Sequence, residues 1–411
     1  MRTGRRAIIL RMSAGPPVPS ARVRRTAPAL IDLVGRACAE RRAAGGRLFP
    51  LAQAVPDFPP PLHVQEALRA CLADPATHRY TVDPGLPELR ESIARVLGGR
   101  RAVEWDPQAQ IVVTAGANQA FAEVLPAIVD AGDEVLLLSP YYLNHGMAVE
   151  LLGACPVEVP LDEGRDFAVD FAALERAVRA RTRALVIVNP SNPIGSVIGR
   201  ADVEGLRAFA AAHGLWLVSD ETYEDFVLDP PPDGWASAAS VPGHAERVIV
   251  LGSFSKSAGL SGWRVGWIAG PPALMREVLK VNDTMIICAP VAGQRGALAA
   301  LQGERTWLEP LRTELAARRR TVLEFLAKSP TLEGALGASR GAMFVLVRPR
   351  GRRLADSTQT ALDIIRTTGV ALVPGAAFGR CGEGWLRLSF AGASAAVLAE
   401  ALPALESAFE R

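Results

Sequence analysis

Short apolar runs alternate with longer amphipathic stretches along most of this 411-residue chain, and this alternation constrains the fold more than any other feature. The runs have the length of strands and are mostly apolar throughout, at 110–114, 134–138, 184–188, 215–219, 248–251 and 265–269. Strands of this kind are covered on both faces. Helix-like stretches separate the runs, at 118–130, 171–179 and 201–213 among others. The sequence therefore predicts an α/β fold whose mainly parallel sheet carries helices on both faces.

The character of the sequence changes beyond about residue 301. A long helical stretch rich in arginine and glutamate is followed by short strand-like pieces at 343–347, 370–373 and 385–389. We interpret this region as part of a smaller α+β domain formed from the two chain ends. The predicted division is a flexible lead-in at 1–20, the N-terminal part of the small domain at 21–55, a large domain at 56–305 and the C-terminal part of the small domain at 306–411.

Composition argues against several classes of protein. The 45 Lys and Arg nearly balance 43 Asp and Glu, and no basic block is interleaved with aromatics, so we expect no nucleic-acid partner. The chain has no apolar stretch of about 18 residues, and its early apolar run ends at Arg11, so we expect neither a membrane span nor a secretory signal. Five scattered cysteines without a CxxC pair predict reduced thiols in a cytoplasmic protein and no metal site.

A lysine in a Ser/Gly-rich loop follows the apolar run at 248–251. Lys256 could form a Schiff base with a phosphate-bearing aldehyde, because neighbouring cations or apolar groups make a lysine more nucleophilic. Ser253 and Ser255 could donate hydroxyl groups to phosphate oxygens, and Arg264 could add a bidentate pair. The alternative is a surface loop with an ordinary solvated lysine.

Two other strand ends carry polar side chains. Asp220 ends one apolar run, with Tyr223 three residues later, and a carboxylate there could keep a pyridine nitrogen protonated. Asn192 lies between two prolines in a rigid turn after another run, where its amide could point at a ring oxygen. The alternatives are a helix-capping carboxylate and a turn without a ligand.

Two segments could bind anions. Ala117 and Asn118 begin a predicted helix after small residues, and the N–H groups of a helix start favour an anion. Arg387 lies inside an apolar strand-like run, where its burial would be costly without an anionic partner. That partner is either a substrate carboxylate or a protein carboxylate in a structural salt bridge.

Taken together and in this order, these five segments resemble the class I/II aminotransferases, which are pyridoxal 5′-phosphate (PLP) enzymes of fold type I. The resemblance spans about residues 51 to 390. It implies transfer of an amino group from an L-amino acid to a 2-oxo acid by a ping-pong mechanism. It also implies a homodimer whose active sites are shared between the subunits.

The resemblance implies a role for each matching residue. Lys256 would be the Schiff-base lysine and proton carrier, Asp220 the partner of the pyridine nitrogen, and Arg387 the clamp on the substrate carboxylate. The remaining matches are contacts to the cofactor ring oxygen, its ring face and its phosphate, made by Tyr223 and Asn192, by Tyr142, and by Ala117, Asn118, Ser253, Ser255 and Arg264. Tyr80 resembles the tyrosine that reaches the phosphate of the other subunit.

The chain departs from the family pattern in its pocket. Ala54 stands where glycine is usual, so its methyl group would reduce the space for substrate, and Ala258 replaces a common bulky aromatic residue. Neither the lysine found at the position of Asn118 in one branch nor the arginine that binds a distal carboxylate in another is present. We therefore expect a donor with a neutral, aromatic or basic side chain, unless Arg22 or Arg295 supplies the missing cation.

Two other functions stay open at this level. The same residues would serve a Cβ lyase, a cyclase or an oxidase of the same fold, because the reaction depends on which bond lies perpendicular to the cofactor ring. A non-catalytic PLP-sensing regulator is the more remote alternative. The segment of about 50 residues before the matching region is too short and too interrupted by proline and glycine for a DNA-binding helix-turn-helix.

Overall fold

The computed structural model describes residues 17–101, 103–240, 245–302 and 305–410. Its helices are α1 (Ala21–Arg25), α2 (Ile31–Ala43), α3 (Leu62–Cys71), α4 (Pro87–Arg101), α5 (Ala117–Ile128), α6 (Leu143–Leu152), α7 (Phe171–Ala177), α8 (Arg200–Ala212), α9 (Pro272–Ile286), α10 (Val291–Leu301), α11 (Leu308–Lys328), α12 (Ser357–Thr368) and α13 (Ala395–Ser407). Its strands are β1 (Ile111–Thr114), β2 (Glu134–Ser139), β3 (Cys155–Pro160), β4 (Thr182–Val188), β5 (Trp216–Asp220), β6 (Val248–Ser253), β7 (Gly266–Ala269), β8 (Leu332–Gly334), β9 (Phe344–Pro349), β10 (Val373–Pro374) and β11 (Leu386–Ser389).

The larger sheet has seven strands in the order β1-β7-β6-β5-β4-β2-β3. Pairing is parallel from β3 through β6, whereas β7 is antiparallel to both of its neighbours. Alternate residues of β2 enter different cores: Leu136 and Leu138 pack on one side of the sheet, and Val135 and Leu137 pack on the other. The predicted fold class, a mainly parallel sheet with helices on both faces, is confirmed.

Strand β3 is not among the predicted runs. It lies at the edge of the sheet, contains Pro156 and Pro160, and is only partly buried. Proline is tolerated at a sheet edge, where its missing N–H breaks no ladder bond. Such a strand therefore lacks the continuous apolar pattern of its neighbours.

A second, antiparallel sheet has the strand order β10-β11-β9-β8. The N-terminal segment joins it, because Phe49 forms a parallel bridge with Val370 and the carbonyl of Leu51 accepts the Ser389 amide at 2.8 Å. Helices α11 and α13 pack beside this sheet in a separate apolar core. The smaller unit thus combines segments from both ends of the chain, and the exact domain boundaries stay a prediction.

The predicted lead-in lies mostly outside the described residues, which begin at Pro17. Within the described ranges, no helix combines the length and the apolar character that a bilayer span requires. Strands β4, β5 and β6 end side by side at one edge of the larger sheet. Ligands of open α/β sheets bind at this edge, beyond the carboxyl ends of the strands.

Candidate active site

A cavity of about 250 Å³ opens at this edge, between the two sheets. Twelve of the thirteen predicted site residues line it: Ala54, Ala117, Asn118, Tyr142, Asn192, Asp220, Tyr223, Ser253, Ser255, Lys256, Arg264 and Arg387. They come from strands, helix starts and loops that lie far apart in the sequence and meet between the two sheets. The exception is Tyr80, which is 77% exposed on the surface of this single chain and does not line the cavity.

Lys256 follows β6 and extends into this cavity. Its Nζ atom donates a hydrogen bond to the backbone carbonyl of Ala54 at 2.6 Å. Burial lowers the pKa of Lys256 to about 8, and the positive charges of Arg387 and Arg264 act in the same direction. A substantial fraction of the side chain is therefore the neutral amine near physiological pH, which is the nucleophilic form.

Asp220, at the end of β5, is almost completely buried. Its Oδ2 lies 3.3 Å from Nε2 of His145, and its Oδ1 accepts the backbone N–H of Thr222 at 3.0 Å. Burial acts to raise the pKa of Asp220, but these two contacts outweigh it and hold the pKa below its usual value. The site thus holds a carboxylate that stays ionised inside the protein.

Arg387, on β11, is also buried but has no carboxylate within 4.0 Å among the described residues. Its Nη1 donates to Oδ1 of Asn192 at 2.8 Å and its Nη2 to the carbonyl of Ala52 at 2.6 Å, while Nε is buried without a partner. Burial lowers its pKa to about 10. A buried guanidinium with neutral partners and an unused donor has the character of an anion-binding group. Arg387 therefore does not form the alternative considered from the sequence, a structural salt bridge with a protein carboxylate, within the described part of the chain.

Asn192 and Tyr223 lie side by side next to Arg387. Because the Asn192 carbonyl oxygen accepts from Arg387, its amide nitrogen faces elsewhere, and the Asn192 side chain acts to lower the pKa of the neighbouring Tyr223. Burial raises the pKa of Tyr223 far above its usual range, so the phenol keeps its proton and can donate it in a hydrogen bond. Both side chains can thus serve as neutral donors toward an anionic oxygen.

A positively charged recess lies at the start of α5. Arg264 donates to the carbonyls of Ser261 and Ala115, at 2.9 and 3.1 Å, which places its guanidinium beside this helix start. A Cβ atom on Gly116 would lie only 2.6 Å from Nη2 of Arg264, so only glycine leaves room for this approach. Ser253 and Ser255 border the same cavity, with the Ser255 amide donating to Oγ of Ser253 at 3.1 Å. Helix N–H groups, hydroxyls and a guanidinium together suit a phosphate group.

Tyr142 directly precedes α6. Its hydroxyl donates to Oδ1 of Asn118 at 3.1 Å and accepts from Asn144 at 3.0 Å. Burial raises its pKa, so it too is a neutral phenol. The stacking role implied for Tyr142 stays a prediction, since these contacts describe its edge and not its ring face.

His145 is the contact that sequence reasoning missed. Its ring is buried 4.1 Å from the ring of Phe121 and meets the edge of Tyr142 at 5.2 Å. The available signal was its position three residues after Tyr142 at a helix start, which places both side chains on one helix face. The apolar cavity residues Ile31, Val55 and Leu143 were also missed, because an isolated apolar side chain gives no local sign that it lines a cavity.

These residues fit PLP. An ionised buried carboxylate, a lysine with a lowered pKa and a phosphate-type recess share one cavity, as a pyridinium ring bearing an aldehyde and a phosphate requires. The buried Nε of Arg387 leaves a further donor for a carboxylate.

Comparison with known proteins gives a uniform result. Residues 47–405 match the model of the family described as aminotransferase class I and II. The chain is 37% identical to an aspartate aminotransferase of Pyrococcus abyssi, over 82% of this chain and 85% of that protein. It is 35% identical to aromatic-amino-acid aminotransferase 2 of Thermococcus litoralis, over 84% and 90%. A solved single mutant of Thermus thermophilus aspartate aminotransferase superposes with a TM-score of 0.88 at 31% identity, covering 96% of this chain and all of that one.

Proposed function

The chain belongs to the class I and II aminotransferases, and from this premise we propose which of its residues carry the reaction and which amino acids it accepts. It is a PLP-dependent enzyme that transfers an amino group between an amino acid and a 2-oxo acid. When bound, PLP supplies an electron sink that stabilises negative charge at the substrate Cα.

Lys256 is the proposed proton carrier. Its neutral amine takes the proton from the substrate Cα and returns a proton on the other side of the transferred nitrogen. Its lowered pKa supports this role, because an amine with a pKa of about 8 exchanges protons efficiently near physiological pH.

We propose that three residues stabilise the charges of the bound cofactor ring: Asp220, Asn192 and Tyr223. The ionised Asp220 carboxylate holds a proton at a pyridine nitrogen, and His145 behind it keeps that carboxylate charged. Asn192 and Tyr223 donate hydrogen bonds to a phenolic oxygen. The carboxylate and these donors thus act at different atoms of the ring.

The observation that carries the proposal is the position of Arg387. A buried guanidinium that lines the same cavity as Lys256, without a carboxylate among the described residues, supports a role in binding the carboxylate common to all amino-acid substrates. Its hydrogen bonds to Asn192 and to the Ala52 carbonyl fix its orientation.

We propose that the preferred donor has an uncharged side chain. The cations of the cavity wall are Lys256, Arg264 and Arg387, and each already has a role. Arg295 instead lies 3.8 Å from Glu88, and Arg22 packs near Gly153. A distal carboxylate would thus be buried without a partner, whereas Ile31, Val55 and Leu143 offer apolar contact.

The donor proposal is tested by steady-state kinetics with matched amino acids. We expect kcat/KM for phenylalanine or leucine to exceed that for aspartate by at least about tenfold, which corresponds to one uncompensated polar group. A preference for aspartate would overturn the donor assignment and leave the reaction unchanged.

We further propose a cytoplasmic homodimer in which Tyr80 serves the site of the other subunit. Its exposure in one chain, with Val82 of the same loop also 51% exposed, supports an interface there. Mixing K256A and Y80A chains tests it, since a hybrid dimer contains one complete site. Recovery of activity supports the shared site, and no recovery contradicts it.

The reaction itself is tested with the PLP-loaded protein and single amino acids, without any 2-oxo acid. Loss of the visible absorbance of lysine-bound PLP, with stoichiometric release of a 2-oxo acid, is the expected half-reaction. Continuous release of ammonia, pyruvate or peroxide would instead assign the lyase or oxidase chemistry. The variant K256R should bind PLP without this conversion.

A further inference from the structure

Residues 51–57, here named the crossing segment, run between two of the three cationic groups of the cavity, Arg387 and Lys256. The carbonyl of Ala52 accepts from Nη2 of Arg387, and the carbonyl of Ala54 accepts from Nζ of Lys256, each at 2.6 Å. The two groups proposed to bind the substrate carboxylate and to carry the proton therefore bind carbonyls two residues apart on one stretch of chain.

The crossing segment forms no helix or strand of its own. Leu51, Ala52 and Pro56 are buried, but residues 52–57 form no backbone–backbone hydrogen bond within the described part of the chain. The positions of its carbonyls thus depend on how its two ends are fixed. One end is paired to β11, where the Leu51 carbonyl accepts the Ser389 amide at 2.8 Å.

The other end is fixed by a bidentate ion pair. Nη1 and Nη2 of Arg318 donate to Oδ1 and Oδ2 of Asp57, at 3.0 and 3.1 Å. The Arg318 side chain, on α11, is only 8% exposed and also donates to the carbonyl of Ala391 at 2.9 Å. The paired fork geometry fixes direction as well as distance. Asp57 is therefore tied both to α11 and to the chain that follows β11.

We propose that Asp57 and Arg318 form a positioning pair that sets the Ala52 and Ala54 carbonyls, and through them the orientations of Arg387 and Lys256. This inference rests on the roles proposed above for Lys256 and Arg387. Neither Asp57 nor Arg318 lines the cavity, so both act through the crossing segment.

The chain offers a matched control. Glu314 also accepts a hydrogen bond from Arg318, at 2.8 Å, but it lies on α11 and forms no hydrogen bond or ion pair with the crossing segment in the described structure. D57N and E314Q each remove one carboxylate from the same guanidinium. Only D57N releases the crossing segment.

Two measurements separate positioning from simple stability. The first is KM and kcat of the PLP-loaded enzyme for its best amino acid. We expect D57N to raise KM about tenfold or more, because small displacements of a positioning group are costly, and E314Q to leave KM near the wild-type value.

The second measurement is the pH midpoint for acylation of Lys256 in the apoprotein, followed by peptide mass analysis. A carbonyl that accepts from the ammonium stabilises the charged form, so loss of the Ala54 contact should move the midpoint to lower pH in D57N. The E314Q midpoint should match that of the wild type.

The proposal is overturned if D57N and E314Q give the same KM and the same labelling midpoint. The thermal unfolding midpoints of both variants show whether D57N is generally less stable. If that loss of stability alone explained the change in KM, the result would also count against a positioning role for Asp57. If the role proposed for Lys256 were wrong, the result would be different. The variant K256A would then retain transamination, independently of the KM and labelling midpoint measured for D57N.

Discussion

The Nε2 atom of His145 lies 3.3 Å from Oδ2 of Asp220, and both side chains are almost completely buried. The ring of His145 packs against Phe121, so its position is fixed by the core and not by solvent. A buried carboxylate ordinarily takes up a proton, and the contacts with His145 and Thr222 oppose this by lowering the pKa of Asp220. The ionised state of Asp220 therefore depends on both residues, and His145 makes the larger contribution.

Replacing His145 with leucine should impair activity from the acid side. Without the ring nitrogen, burial raises the pKa of Asp220, so the acid limb of kcat/KM moves to higher pH. We expect kcat to fall about tenfold, the effect of losing one hydrogen bond to a charged group. H145Q, which keeps an N–H donor, should retain most activity. An unchanged pH profile for H145L would contradict the effect of His145 on the ionisation of Asp220.

Replacing Arg387 with methionine should weaken amino-acid binding selectively. The loss of a buried guanidinium that binds a carboxylate should raise KM by about tenfold to a hundredfold. The PLP affinity of the apoprotein, measured by fluorescence titration, is the control and should change little. Equal losses of PLP and amino-acid affinity would show that Arg387 has a structural role only.

Replacing Gly116 with alanine should weaken PLP binding. The new Cβ would approach Nη2 of Arg264 to 2.6 Å and push the guanidinium away from the start of α5. We expect the PLP dissociation constant to rise about tenfold, as for one lost charge-assisted hydrogen bond.

The control for this variant is G214A. Gly214 has a similar positive φ, +67° against +89°, but a Cβ there would meet nothing within 4 Å. It therefore places a methyl group at a positive φ without the collision, although the ψ of 167° at Gly116 makes alanine costlier there. Equal PLP affinities for G116A and G214A would refute the role of this close approach.

Glu123 offers a test of stability against pH. This fully buried carboxyl on α5 accepts two long hydrogen bonds from Asn282, at 3.2 and 3.3 Å, and burial raises its pKa to about 7. The folded state therefore holds the proton more tightly than the unfolded chain. Its contribution to stability is full below the unfolded pKa of about 4.5 and declines as pH rises through about 7.

The variant E123Q should remove this decline. A glutamine amide can also donate to Oδ1 of Asn282, which is buried without a hydrogen-bond partner in the described structure. We expect a stability gain of about 1–3 kcal/mol at about pH 8 and a smaller difference at about pH 5. Thermal unfolding of the wild-type and E123Q apoproteins at both pH values measures this stability difference. An equal difference at the two pH values would contradict the titration of Glu123.

The sequence by itself determined the class of the fold and most of the cavity wall. Strands such as β4, β5 and β6 are apolar throughout because both faces are covered, and this pattern is local. The functional side chains follow those strand ends directly, as Lys256 follows β6 and Asp220 ends β5. Since parallel strands end at one edge, their proximity could be inferred without coordinates.

Only the tertiary structure decided the contacts between these segments. His145 has no motif around it, and nothing local to Arg387 states whether its partner is a protein carboxylate or the Ala52 carbonyl. Strand β3 and the Asp57–Arg318 pair were likewise absent from the sequence patterns. Strand β3 was missed because an edge strand with two prolines lacks an apolar period. The Asp57–Arg318 pair was missed because it joins residues 261 positions apart. Local patterns record which faces are buried, whereas pairing between distant side chains depends on how the packed elements bring them together in space.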